Sequence, residues 1–262
     1  MATIRKTILD NRYIREYELG QWTYGSIAVL KEKDTGKLKT CKTVPKALIR
    51  NANNVMAKLE ALKELQHPHI SSVTDVMEDD RHYYILSDHY MGGDVQDWMD
   101  RLDEGNWLQE QTCAQYVRQA VLALCHSHAA QVFHRDLKPS SLILTTKLPD
   151  AVVKVGDFGL AGILDPDNSI IQQNPHQYTV PEVLRSSEPV KGGAVDMWSV
   201  GAIAHALLVG HGPSESSRGF FGGSKDDESW SERSPLSRDF VQRLLRPHAA
   251  DRPTAAKALN HP

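Results

Sequence analysis

The sequence predicts an α+β protein of two lobes, a small one built on an antiparallel sheet and a larger helical one. Three observations carry this. Before residue 90 the alternating and β-branched runs are short and bounded by turn residues, the pattern of neighbouring strands. After residue 94 apolar residues recur at helical spacing over longer stretches. Strands grouped ahead of helices, instead of alternating with them, point to segregated elements and not to a doubly wound parallel sheet.

Tyr17-Glu18-Leu19 and Ser26-Ile27-Ala28-Val29-Leu30 read as strands, and the turn Asp34-Thr35-Gly36 joins the second of them to Leu38-Lys39-Thr40-Cys41-Lys42 as a hairpin. Val55, Met56, Leu59, Leu62 and Leu65 share one face of a helix over 52–66. His67-Pro68 closes it, because the residue before a proline is pushed out of the helical region. His82-Tyr83-Tyr84-Ile85-Leu86-Ser87 reads as another strand. Helices are expected over 94–102, 109–129 and Val195 to Leu208, with short strands around 132–133, 142–145 and 152–155. Gly210 to Ser234, rich in glycine, serine and charge, reads as an irregular loop. No repeat occurs at solenoid periods.

Composition narrows the function classes. The 262 residues are 40% hydrophobic, enough for a sizeable core. Lys+Arg 30 against Asp+Glu 33 leaves a net charge of -3, with no basic excess for nucleic acid or acidic lipid to select. Cys41, Cys113 and Cys125 are an odd number in unrelated contexts, which predicts free thiols in a reducing, cytoplasmic setting. The longest apolar stretch, Val200 to Gly210, is too short to span a bilayer, and the first residues lack the apolar segment of a signal peptide. Cys125-His126-Ser127-His128 has no second ligand cluster and reads as a helix end, not a metal site.

The chemistry concentrates in His134-Arg135-Asp136-Leu137-Lys138-Pro139 and Asp157-Phe158-Gly159. Both place a carboxylate in a short polar turn between apolar runs, where a strand end presents a reactive group. With Pro181-Glu182 further on, this set resembles the eukaryotic protein kinase family of Ser/Thr type, in its calcium/calmodulin-dependent and calcium-dependent branch, from about Tyr13 to Pro262. The resemblance implies a small lobe over 1–87, a hinge over 88–93 and a large lobe over 94–262. It implies ATP and Mg²⁺ as cofactors and a protein as substrate or partner, and leaves the oligomeric state open.

By the same resemblance Asp136 accepts or orients the substrate hydroxyl's proton, Lys138 neutralises the transferring phosphoryl group, and Asp157 holds Mg²⁺. Gly20, Gly25, Ile27, Lys42, Asp88, Tyr90, Asp94 and Ile143 fall at ATP-binding positions, and Ser87 at that of a small gatekeeper. His134, Arg135, Phe158, Glu182, Asp196 and Arg252 fall at structural or regulatory ones, with Glu182 pairing Arg252 and Asp196 capping the catalytic-loop backbone. Ser169 is the one hydroxyl residue between Gly159 and Tyr178, an expected phosphorylation site with Arg135 as partner.

Four positions depart from the family pattern. Trp22 replaces the middle glycine of the phosphate loop, Lys58 the helix glutamate that pairs with Lys42, and Ser141 the asparagine that holds a second Mg²⁺. Asn174-Pro175 replaces a Gly-Thr whose hydroxyl bonds the catalytic aspartate. These departures predict impaired transfer, or a pseudokinase acting as scaffold or allosteric partner.

Overall fold

The computed structural model describes residues 9–49, 53–101, 108–147, 150–173, 175–185, 192–213 and 230–262. Asn174 and most of the 210–234 stretch lie outside them. A short helix, α1 (Leu9–Arg12), leads into β1 (Tyr13–Trp22), β2 (Gly25–Glu32), β3 (Leu38–Pro45), helix α2 (Val55–Ala61), β4 (Val73–Glu78) and β5 (His82–Asp88). The five strands form one antiparallel sheet in the order β1-β2-β3-β5-β4. In it Lys42 stands opposite both Ile27 and Ile85, so the β2–β3 register places the lysine under the tip of the β1–β2 hairpin.

The second lobe contains α3 (Val95–Met99), α4 (Glu110–Ala129), a two-stranded ribbon of β6 (Leu142–Leu144) and β7 (Val153–Val155), α5 (Leu160–Leu164), α6 (Ser169–Gln173), α7 (Pro181–Arg185) and α8 (Ala194–Val209). Two further helices, Pro235–Leu244 and Ala255–Ala258, pack on α8 and α4 respectively. α4 buries Cys113, Tyr116, Val117, Ala120, Val121 and Leu124, a stripe at i, i+3, i+4 spacing. α8 differs: every residue from Val195 to Val209 is buried, as expected of a helix apolar all round that forms a lobe's centre.

Three expectations are corrected. No strand forms at 132–133, where the chain is irregular. The helix foreseen over 52–66 is regular only from Val55 to Ala61 and tightens to a 3₁₀ turn at Leu62–Glu64. Its first residue follows Asn54 in the left-handed region with no side-chain cap, so the orphan N–H groups that define a stable helix start lack support. β4 is not predicted from the sequence, since Val73–Glu78 carries a carboxylate in its interior, Asp75, and another at its end, Glu78, that mask its alternation.

Candidate active site

The site lies between the sheet and the β6–β7 ribbon. Backbone geometry builds it first. Arg135 and Asp157 both adopt positive φ, 67° and 64°, conformations that cost non-glycine residues energy and persist only where the surroundings impose them. The imposition at Arg135 is visible: Asp196, fully buried on α8, accepts the N–H groups of His134 at 2.9 Å and Arg135 at 2.7 Å. Its third partner is His128 Nε2 at 2.8 Å. His126 and His128 lie in the last turn of α4, and no group of three or more His, Cys, Asp or Glu that could hold a metal ion occurs among the described residues.

His134 is buried and neutral in role: Nε2 donates to the Gly156 carbonyl at 2.8 Å while Nδ1 accepts the Asp136 N–H at 3.3 Å. Burial pushes its pKa down. Its ring meets Phe158 edge-on at 5.3 Å, and Leu62 closes the stack against Gly159, whose φ is 74° and where a Cβ would lie 2.7 Å from Leu62. This packing sets the direction in which Asp157 points.

Asp157 pairs with Lys42. That replaces the helix partner the lysine lacks: Lys58 is exposed and has no ion pair among the described residues, while Glu60 pairs with Lys63. The ammonium of Lys42 also lies 4.6 Å from the ring centroid of Trp22, a cation–π contact. Trp22 packs edge-on against Tyr24 at 5.1 Å; Tyr24 belongs to the main core, and Trp22 is partly buried against it. The hairpin tip is thus folded down into the cleft.

Between Trp22 and Tyr24, Thr23 donates its hydroxyl to Asp136 Oδ2 at 2.8 Å and accepts from Lys138 Nζ at 2.8 Å. Lys138 also reaches Asp136 Oδ2 at 3.1 Å. On the other side of the carboxylate, His176 Nε2 lies 2.8 Å from Oδ1. Burial works to raise the Asp136 pKa, but the hydrogen bond from His176, the charge of Lys138 and the bond from Thr23 prevail and hold it well below the usual carboxylate range. The loss of the hydroxyl at Asn174-Pro175 therefore does not leave Asp136 without a donor; the ring of His176 supplies one. Sequence reading missed both Thr23 and His176. The only signal for either was a polar residue inside a segment already tied to the site by its neighbours.

The remaining expected residues fall as follows. Gly20 and Gly25 flank the hairpin tip with φ of 131° and 154°; a Cβ on Gly25 would lie 2.0 Å from the Thr43 carbonyl. Asp88 pairs with Lys39 at the surface at 2.7 Å. Asp94 caps α3 by accepting the Asp97 N–H at 2.8 Å, and burial raises its pKa. Tyr90 lies under Lys154 at 5.8 Å. Gly92 N–H bonds the Leu144 carbonyl at 3.1 Å and Leu144 N–H the Gly93 carbonyl at 2.9 Å, tying 88–93 to the ribbon. Ile143, Ser87, Leu62 and Phe158 line a narrow cleft behind Lys42 with a free volume of about 40 Å³.

Ser141 is buried in the 3₁₀ turn Pro139–Ser141, its carbonyl holding Gly156 N–H at 2.9 Å. Arg252 is buried and bonds Glu182 through both terminal nitrogens, one at 3.0 Å, and the carbonyls of Arg246, Ala194 and Pro247 at 2.8, 3.0 and 3.0 Å. The Ser169 hydroxyl faces Asp165 at 3.4 Å, and the Arg135 guanidinium lies against Gly162 of α5. Asp165 is buried and accepts the N–H groups of Ile170 and Ile171, so a phosphate on Ser169 would meet a carboxylate first.

A two-lobed fold with these paired lysines and aspartates in the cleft defines a protein kinase, and residues 13–262 match the model of the protein kinase domain. The chain belongs to that family. It is 32% identical over 256 residues to the calcium/calmodulin-dependent protein kinase cmkA of Emericella nidulans, covering 93% of this chain and 60% of that protein. It is 28% identical to the calcium/calmodulin-dependent protein kinase type 1 of Macrobrachium nipponense, over 97% of this chain and 75% of that one. A crystal structure of Rad53 1-466 in complex with AMP-PNP superposes with a TM-score of 0.77 at 29% identity, covering 98% of this chain and 66% of that one. The chain spans about 1% of the Titin homolog of Caenorhabditis elegans and 60% of cmkA, the first relatives it matches.

Proposed function

We propose that this domain binds ATP and transfers its γ-phosphoryl group to protein serine or threonine, with a rate held well below that of an intact site. One observation carries the reading: Lys42–Asp157 and Lys138–Asp136 converge on one cleft, with an aliphatic hydroxyl hydrogen-bonded to the Asp136 carboxylate. That is the arrangement a carboxylate needs to orient an acceptor hydroxyl, with a cation alongside to offset charge developing on the phosphoryl oxygens.

The donor set fits one Mg²⁺. Asp157 offers a hard carboxylate oxygen, and the ion's other ligands come from phosphate and water. A Mg²⁺ held by Asp157 would supply charge neutralisation for the phosphates. Ser141 adds one hydroxyl, a weak second ligand. Lys42 must exchange Asp157 for phosphate oxygens, and no helix carboxylate holds it during that exchange because Lys58 stands in its place. Trp22 blocks the same ammonium. Losses of this kind each remove a few kcal/mol of transition-state stabilisation and are not additive.

A second reading, a nucleotide-binding pseudokinase that acts through a protein partner, is favoured by the contact of Trp22 with Lys42. Transfer of ³²P from ATP to a generic basic peptide separates the two. The kinase reading expects slow transfer that disappears in Asp136→Ala. Equal signal in the variant sinks it, and an ATP-dependent thermal shift without any transfer selects the pseudokinase. The free thiols of Cys41, Cys113 and Cys125 support a reducing compartment, and no helix among the described residues is long and apolar enough to cross a membrane.

A further inference from the structure

The two oxygens of Asp136 have different surroundings. Oδ2 faces the cleft, where Thr23 and Lys138 reach it. Oδ1 faces away from the hairpin and meets His176. The imidazole is itself oriented: Nδ1 accepts the Tyr178 N–H at 3.2 Å, so that nitrogen carries no proton and Nε2 is the donor. The backbone behind the ring is pinned as well. His176 N–H donates to Thr179 Oγ1 at 3.1 Å, and the Tyr178 carbonyl accepts from Ser199 Oγ of α8 at 3.2 Å. Tyr178 and Thr179 are both buried.

We infer that His176 is the positioning residue of Asp136. By holding Oδ1 it fixes the plane of the carboxylate, so that Oδ2 is presented to an acceptor hydroxyl at the point Thr23 now occupies. His176 touches neither acceptor nor nucleotide. A carboxylate held on one oxygen only can rotate about its Cβ–Cγ bond, and misplacement of a catalytic group by a fraction of its reach is enough to lower the rate. The tyrosine N–H matters because the other tautomer would turn a lone pair toward Oδ1 and repel it. The catalytic consequence rests on the kinase reading; the hold on Oδ1 does not.

Two measurements on the full chain test this. In kinetics, His176→Ala lowers kcat by about 10- to 100-fold, the range of losing a hydrogen bond to a charged group, while KM for ATP and for peptide stays within about twofold. His176→Gln, whose amide can still donate, recovers most of the rate. Unchanged kcat in His176→Ala, or no recovery with Gln, overturns the positioning role. Independently of catalysis, ¹⁵N-imidazole NMR of the wild type shows His176 protonated on Nε2 with a slowly exchanging proton, and Asp136→Ala abolishes that signature. A proton on Nδ1, or the same signature in both proteins, overturns the hold. No phosphoryl transfer by the wild type with the imidazole signature intact supports the hold and overturns the kinase reading alone.

Discussion

The hairpin tip closes the site with two adjacent residues, and removing their side chains should open it. Trp22 covers Lys42, the group that must meet phosphate, and Thr23 spans Asp136 and Lys138. The contact of a partly buried lysine with an indole is worth about 1 kcal/mol. The Thr23 hydroxyl, with one bond to each of two charged groups, contributes about 1–2 kcal/mol net of the water that replaces it. A closed state favoured by about 2–3 kcal/mol weakens apparent nucleotide affinity by the fraction of open molecules, about 30- to 150-fold.

Trp22→Gly with Thr23→Ala should therefore tighten ATP binding by about 30- to 150-fold in the presence of Mg²⁺, read by isothermal titration calorimetry. Each single change should recover part of the gain, Thr23→Ala without loss of core packing. Urea midpoints of the same proteins check that folding is retained, since Trp22 also packs against the main core. A double variant that binds ATP no more tightly than the wild type would refute the idea that these contacts compete with nucleotide.

Three further outcomes follow from named contacts. Glu182→Ala leaves the buried Arg252 guanidinium without its carboxylate and should lower stability by about 3–5 kcal/mol in urea titration; a loss under 1 kcal/mol would mean that the backbone carbonyls alone satisfy it. Tyr24 is 1% exposed and its hydroxyl has no hydrogen-bond partner among the described residues, so Tyr24→Phe should be neutral or stabilising by up to about 2 kcal/mol, and a clear destabilisation would reveal an unrecognised partner. Stability should fall toward acid in two windows. His134 is held neutral by burial, whereas the unfolded chain takes up its proton below about pH 6.5, so stability declines as pH drops through that value. Asp136 has a depressed folded pKa, so its contribution is present above about pH 4 and lost as pH falls toward the lower folded value. Asp136→Asn should flatten the urea-midpoint profile below about pH 4 only; an unchanged slope there would contradict the assignment.

Much of this was legible in the sequence because it depends on neighbours along the chain. The antiparallel small lobe follows from β-branched alternation and the Asp34-Thr35-Gly36 turn, and the central helix α8 from a mostly apolar stretch, interrupted only by Asp196, Ser199 and His205, that favours burial on all sides. The missing partner of Lys42 was also readable, since Lys58 occupies its helical position whatever the packing. Tertiary structure alone decided the rest. Asp136 meets Thr23 across 113 residues and His176 across 40, and no local period encodes such a meeting. The same holds for the short α2, whose uncapped start shifts its stability onto packing, and for Trp22. A bulky residue at that position tells only that the phosphate loop cannot approach closely. Its burial against Tyr24 and Lys42 reflects the gain from removing an indole from water, which depends on a cleft that exists only once both lobes are folded.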